Sequence, residues 1–177
     1  MSGAVSGVAS RVAVVVGNPK PQSRTLVAAT YVATELSGHA PDLVVDLAEL
    51  GAGLLDWKDA QVAELVAAVG AADLVVFASP TYKGTYTGLL KLFLDRFATD
   101  GVRGVAVPLM LGAGPGHALA PELTLRPVLT EIGGTVATRG LYVVDSAHDD
   151  PSAYAPWLEL SRPVVTALLA SRTGASA

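Results

Sequence analysis

The sequence predicts an α/β fold built as an open, doubly wound parallel sheet, and three observations carry that prediction. Val-rich apolar runs recur five times along the chain, most of them continuous rather than alternating, as in strands covered by helices on both faces. Helix-length windows separate the runs, so strand and helix alternate five times. At 177 residues the chain is shorter than the ~250 residues of an eight-stranded α/β barrel. It is long enough to bury about two thirds of its unfolded surface without metal or disulfide.

The elements follow in order. The first run, Arg11 to Val16, leads to a helical window over Ser23 to Ser37. The run Leu43 to Leu47 precedes a helix over Asp59 to Ala71, and Asp73 to Ala78 precedes one over Thr85 to Ala98. A fourth strand over Gly104 to Leu111 feeds a helix over His117 to Ile132 that contains Pro121 and Pro127, so a kink or bulge is expected there. The last pair is Leu141 to Asp145 and a helix from about Ser152 to Ala170. With no repeat or linker between them, residues 11–170 read as one domain. Residues 1–10 and 171–177, rich in Gly, Ser and Ala, read as flexible tails.

Composition narrows the function. Apolar residues make up 51% and charged residues 16% of the chain, which argues against disorder. The net charge of −4 includes no basic run, so the phosphate-neutralising footprint of a nucleic-acid binder is missing. Without cysteine there is no disulfide framework, thiolate metal site or thiol nucleophile. No leader pattern and no run approaching ~18 apolar residues is visible, so the expected place is the cytoplasm, away from membranes.

Ligands of an open parallel sheet bind outside the carboxyl ends of the strands, and three loops there stand out. Gly17-Asn18-Pro19-Lys20-Pro21-Gln22-Ser23-Arg24-Thr25 runs straight into the first helix. A helix N-terminus with two hydroxyls and a guanidinium is a cradle for a monophosphate. It is neither a GxGxxG turn nor a Walker A loop. The same residues also fit a Ser23 that only caps the helix and an Arg24 that is merely solvated.

After the third strand come Ser79-Pro80-Thr81-Tyr82-Lys83-Gly84, which can hold a flat ring by backbone groups and the Tyr82 face, or simply connect two elements. After the fourth come Gly112-Ala113-Gly114-Pro115-Gly116-His117, whose glycines permit close backbone approach or a tight turn. His117 is the most tempting catalytic side chain, yet a lone histidine is more often structural, and no catalytic residue is assigned. His148 beside Asp149 and Asp150 reads as a solvated acidic turn rather than a metal site. No GxSxG elbow offers a hydrolase nucleophile.

Together the segments G-N-P-K-P-Q-S-R-T at 17–25, A-S-P-T-Y-K-G-T-Y-T-G-L-L-K-L-F-L-D at 78–95, G-A-G-P-G-H at 112–117 and L-R-P-V-L at 125–129 resemble the NADPH-dependent FMN reductase family. The likeness is strongest to the reductases that feed two-component sulfonate monooxygenases. The resemblance implies a flavodoxin-like three-layer sandwich with strand order 2-1-3-4-5, and FMN and NADPH (or NADH) as cofactors. It puts the FMN phosphate on Ser23, Arg24 and Thr25, with Asn18 in the turn before them. It lays the ring along Pro80, Thr81, Tyr82 and Lys83, with Gly112, Ala113 and Gly114 approaching it.

Hydride passing from nicotinamide to flavin requires no protein base. The resemblance also implies a monooxygenase partner and a homodimer or homotetramer formed through the helix Gly88 to Phe97, whose leucines and phenylalanines cover more than one face. The alternative is a monomer that buries this helix itself. Where the sulfonate-linked reductases carry an aromatic or histidine in the fourth helix, this chain has Leu123, a departure that bears on sulfonate pairing and not on flavin binding. Two other functions fit the same loops: an FMN-holding quinone or azo reductase, and a non-enzymatic flavodoxin-like electron carrier.

Overall fold

The computed structural model describes residues 10–174. Five strands, β1 (Val12–Val16), β2 (Leu43–Asp46), β3 (Leu74–Pro80), β4 (Val105–Gly112) and β5 (Leu141–Val144), form one parallel sheet in the order β2-β1-β3-β4-β5. Helices α1 (Arg24–Ser37) and α5 (Ala155–Gly174) cover one face, and α2 (Ala60–Gly70), α3 (Gly88–Leu94) and α4 (Arg126–Glu131) the other. This is the expected flavodoxin-like sandwich.

Strand alternation sorts the core. Val12, Val14 and Val16 of β1 and Leu74, Val76 and Ala78 of β3 pack with Ala28, Val32 and Leu36 of α1 and Leu158 and Val165 of α5. Ala13, Val15, Val75, Phe77 and Met110 turn the other way, against Val62, Leu90, Phe93 and Leu125. Every residue of β1, β3 and β4 is buried, which is why these strands read as unbroken apolar runs.

The outer strands β2 and β5 are four residues each, against seven in β3 and eight in β4. Pro108 sits inside β4 without an N–H to give. Ala106, two residues earlier and so pointing the same way, donates to Thr135 on the β5 side at 3.0 Å. The β5 ladder begins only at Leu109, so the proline falls in a gap between ladders.

Helix ends depart from the sequence expectation in three places. The helix expected over Thr85 to Ala98 is shorter, because Tyr82 and Thr85 pair in a hairpin and Thr87 caps the helix, accepting from the Leu90 amide at 3.2 Å. The helix expected over His117 to Ile132 breaks into a 3-10 turn at Pro115–His117, a π turn at Pro121–Leu125, and α4. There Arg126 donates its N–H five residues back to Pro121, just ahead of Pro127, which has none to give. Helix α5 begins at Ala155, after a 3-10 turn at Pro151–Ala153 capped by Asp150, and runs to Gly174. Residues 171–174 are therefore helical where a tail was expected; the remaining tail positions, 1–9 and 175–177, lie outside the described residues. Among the described residues no helix is long and apolar enough to cross a membrane.

Most of the apolar residues of α3 are used within the chain: Leu90, Phe93 and Leu94 are buried, and Phe97 just beyond is nearly so. Phe97 meets Phe93 and Phe77 edge to face, at 5.4 and 6.5 Å between centroids. Leu92 faces outward, as do Leu119 and Leu123 near the π turn.

Candidate functional site

The loop after β1 starts where Gly17 donates to the Ala78 carbonyl at 2.8 Å, carrying the β1–β3 ladder one step further. Leu90 packs so close that a Cβ on Gly17 would lie 2.4 Å from its Cβ, so only glycine fits. Asn18 ties the loop from inside, donating from Nδ2 to Thr25 Oγ1 at 3.0 Å and accepting from the Lys20 amide at 2.9 Å. Gln22 has φ of 51°, a left-handed conformation that costs a non-glycine residue energy and that tends to persist at functional turns. Its N–H is held by Asp46 Oδ2 at 2.9 Å, at the buried end of β2.

Ser23 does cap α1, accepting from the Leu26 amide at 3.3 Å. Its hydroxyl keeps a proton to donate, and the first-turn amides of Arg24 and Thr25 have no acceptor within the helix. Arg24 is not merely solvated. Its Nη1 donates to Asp145 Oδ2 at 2.5 Å, just past the end of β5.

The second loop leaves β3 at Pro80. Thr81 donates its N–H to Leu111 at 2.6 Å, and Tyr82 and Thr85 exchange N–H···O bonds at 2.9 and 3.2 Å around Lys83 and Gly84. With φ of 55° and 82° these two form a type I′ turn, the tight hairpin connection. The ring of Tyr82 is half exposed. The Thr81 hydroxyl is buried and has no hydrogen-bond partner, an arrangement that costs free energy unless a ligand supplies one.

Ser79 and Thr87 stitch this loop to the first. Ser79 Oγ accepts from the Thr87 amide at 3.0 Å, and Thr87 Oγ1 donates to the Gly17 carbonyl at 2.5 Å.

The third loop follows β4. Gly112 lies against Tyr142, whose phenol would be 2.0 Å from a Cβ there, and the same phenol donates to the Gly114 carbonyl at 2.6 Å. Burial raises the Tyr142 pKa, so the phenol remains a donor well past neutral pH. Gly114 and Gly116 face open space, and Gly84 lies within 3.8 Å of the His117 ring, measured from the Cβ it lacks. A cavity of about 390 Å³ opens there, lined by Gly84, His117, Leu119, Leu123 and Thr124 among others.

All three sequence-identified loops thus meet at the carboxyl edge of β1, β3 and β4. Asn18, Ser23, Arg24 and Thr25 form its polar end, Pro80 to Lys83 the middle ledge, and Gly112 to Gly114 the far wall. The strand order keeps the second loop between the other two. Such an arrangement can hold an anion at one end and a flat heteroaromatic ring at the other.

Sequence reasoning missed Asp46, Thr87, Tyr142 and Asp145, which hold the loops rather than line them. Asp145 directly follows β5, a strand that the sequence located to within one residue, and that was the available signal. His148 faces the Asp145 carbonyl at 3.1 Å and the Asp149 carboxylate at 3.7 Å. Among the described residues no cluster of three metal-ligating side chains forms.

Comparison with known proteins bears on the family and the fold. The model of the family described as NADPH-dependent FMN reductase matches residues 10–149. The chain is 32% identical over 138 residues to the NADH-dependent FMN reductase SfnF of Pseudomonas fluorescens, covering 72% of this chain and 73% of that one. It is 29% identical over 150 residues to an FMN reductase (NADPH) of Pseudomonas aeruginosa, covering 79% and 80%. Among solved structures, the apo form of the NADH:FMN oxidoreductase EMOB superposes with a TM-score of 0.78 at 27% identity, covering 92% of this chain and 89% of that one.

Proposed function

Since the chain belongs to the NADPH-dependent FMN reductase family, we propose that it is an NAD(P)H-dependent oxidoreductase that reduces FMN bound across the three loops of its sheet edge. The observation that carries this reading is the convergence of a polar helix start with a ledge holding an unpartnered buried hydroxyl, that of Thr81. FMN fits both ends. Its phosphate suits Ser23, Arg24, Thr25 and Asn18, and the polar rim of its ring suits Thr81 and the backbone of Pro80 to Lys83. When bound, FMN supplies the hydride acceptor and the reduced nicotinamide the donor.

The protein's own part is positional. Tyr82 offers a face beside the ring, and the Gly112 to Gly114 wall lets the backbone come close. Tyr142 holds that wall in place. Orientation of this kind accounts for a large part of a bimolecular barrier, and no side chain here has to move a proton.

The reduced flavin is supplied to a monooxygenase, a role supported by the likeness of the 17–25 and 78–95 segments to reductases of that kind. The chain works as a homodimer or homotetramer through Gly88 to Phe97; the outward Leu92 and half-buried Leu89 support this. Its substrates, free FMN and reduced nicotinamide, are solutes of the cytoplasm, where it acts.

The test is a flavin titration followed by aerobic NADPH and NADH oxidation with and without added FMN. Oxidation that depends on added FMN is expected. Protein that retains FMN through purification and oxidises NADPH only with a quinone or azo dye would replace this reading with the flavin-holding one. Protein that neither binds FMN nor consumes nicotinamide would end it.

A further inference from the structure

We propose that Asp145 sets how loosely the site holds a flavin phosphate, by competing with it for Arg24. The inference rests on the reading of residues 17–25 as a phosphate cradle and adds to it a residue from the opposite end of the sequence. Arg24 and Asp145 are 121 positions apart, yet Nη1 and Oδ2 meet at 2.5 Å. Their side chains are 59% and 40% exposed, so solvent screens the pair and it contributes little to folding. Its weight falls on the site instead.

Arg24 is the one cation on the first turn of α1. A guanidinium has five donors in a planar fork, and only Nη1 is engaged. A phosphate at the helix start therefore finds donors still open, but shares the arginine with a carboxylate of like charge. Either the carboxylate gives up its bond or two anions stand on one guanidinium, and both outcomes weaken phosphate binding. The other groups near Asp145 do not cancel its charge. Its own carbonyl faces His148 Nδ1, and Asp149 and Asp150 add negative charge close by in sequence. The consequence is a flavin that exchanges with solution as a substrate does.

The test measures equilibrium dissociation constants for FMN and riboflavin by quenching of flavin fluorescence, on wild type, Asp145→Asn, Arg24→Ala and the double variant. Asp145→Asn should bind FMN about tenfold more tightly, a difference of ~1.4 kcal/mol. Riboflavin, which has no phosphate, should be unaffected, and the gain should vanish in the Arg24→Ala background. Asp145→Ala serves as a second variant, with thermal melting to confirm that each protein folds.

If Arg24→Ala weakens FMN binding while both Asp145 variants leave it unchanged or weaker, the competition is overturned and the cradle stands. A gain shared equally by riboflavin overturns it too. If wild type does not bind FMN, or Arg24→Ala binds it as wild type does, the cradle reading itself falls.

Discussion

Thr87 gives its hydroxyl proton to the carbonyl oxygen of Gly17 at 2.5 Å, across 70 positions of sequence. The Thr87 hydroxyl oxygen itself accepts from the Leu90 amide, and the Thr87 amide donates to Ser79 Oγ. One buried side chain thus starts α3 and fixes the phosphate-side loop against the ring-side loop.

Thr87→Val keeps the shape and removes both side-chain bonds. Loss of a helix cap together with a buried carbonyl left unpaired should cost about 2–3 kcal/mol. The melting temperature should fall and FMN affinity weaken, while Thr87→Ser keeps both. Wild-type values for both quantities in Thr87→Val would show that the link is idle.

The Tyr142 phenol stands where a Cβ on Gly112 would project, its oxygen 2.0 Å from that position. Gly112→Ala should therefore disturb the 112–117 loop, because a Cβ cannot share that space and the sheet holds both partners. Tyr142→Phe leaves the Gly114 carbonyl without its donor, at a cost of about 1 kcal/mol. Adding Tyr142→Phe to Gly112→Ala should recover part of the loss, and strict additivity in melting experiments would refute the steric account.

Lys83 stands at a left-handed position followed by Gly84, and asparagine tolerates that conformation better than lysine. Lys83→Asn should raise stability by roughly 0.5–1 kcal/mol. A lower unfolding midpoint in urea would mean that the lysine chain makes a contact worth more than the strain.

Burial, helped by neighbouring Tyr31 and Asp149, pushes the Tyr154 pKa up to about 12 from an ordinary 10, and its phenol donates to the His148 carbonyl at 2.5 Å. The raised value means that folding favours the protonated phenol. That contribution is complete below about pH 10 and is lost as pH rises from there through about 12. The loss should reach roughly 3 kcal/mol. Tyr154→Phe should be less stable at pH 8 yet show a flatter decline between pH 10 and 12; an equally steep decline would place the titration elsewhere.

The layers were legible because the inner strands are buried on both faces and so carry no alternation, as in Val12 to Val16, whereas the strand order came only with the family resemblance. Ser23 could be read as a cap, and Pro127 as a source of irregularity, from chemistry intrinsic to those residues. The true start of α3 was hidden because nothing local to Thr85, Tyr86 and Thr87 marks the boundary, and only the Tyr82–Thr85 pairing across Lys83-Gly84 and the cap at Thr87 set it. Arg24 and Asp145 lie in elements that were each recognised. Their meeting depends on the crossover that brings the end of β5 near the start of α1, and no local pattern records it.

The proline in β4 and the brevity of β2 and β5 bear on how copies of this chain meet one another at high concentration. The sheet tapers to two four-residue borders, and Pro108 sits where the β5 border has not yet begun. Few unpaired backbone groups are left for a foreign strand to zip onto. Overproduced protein should therefore resist fibrillar association through its sheet edges.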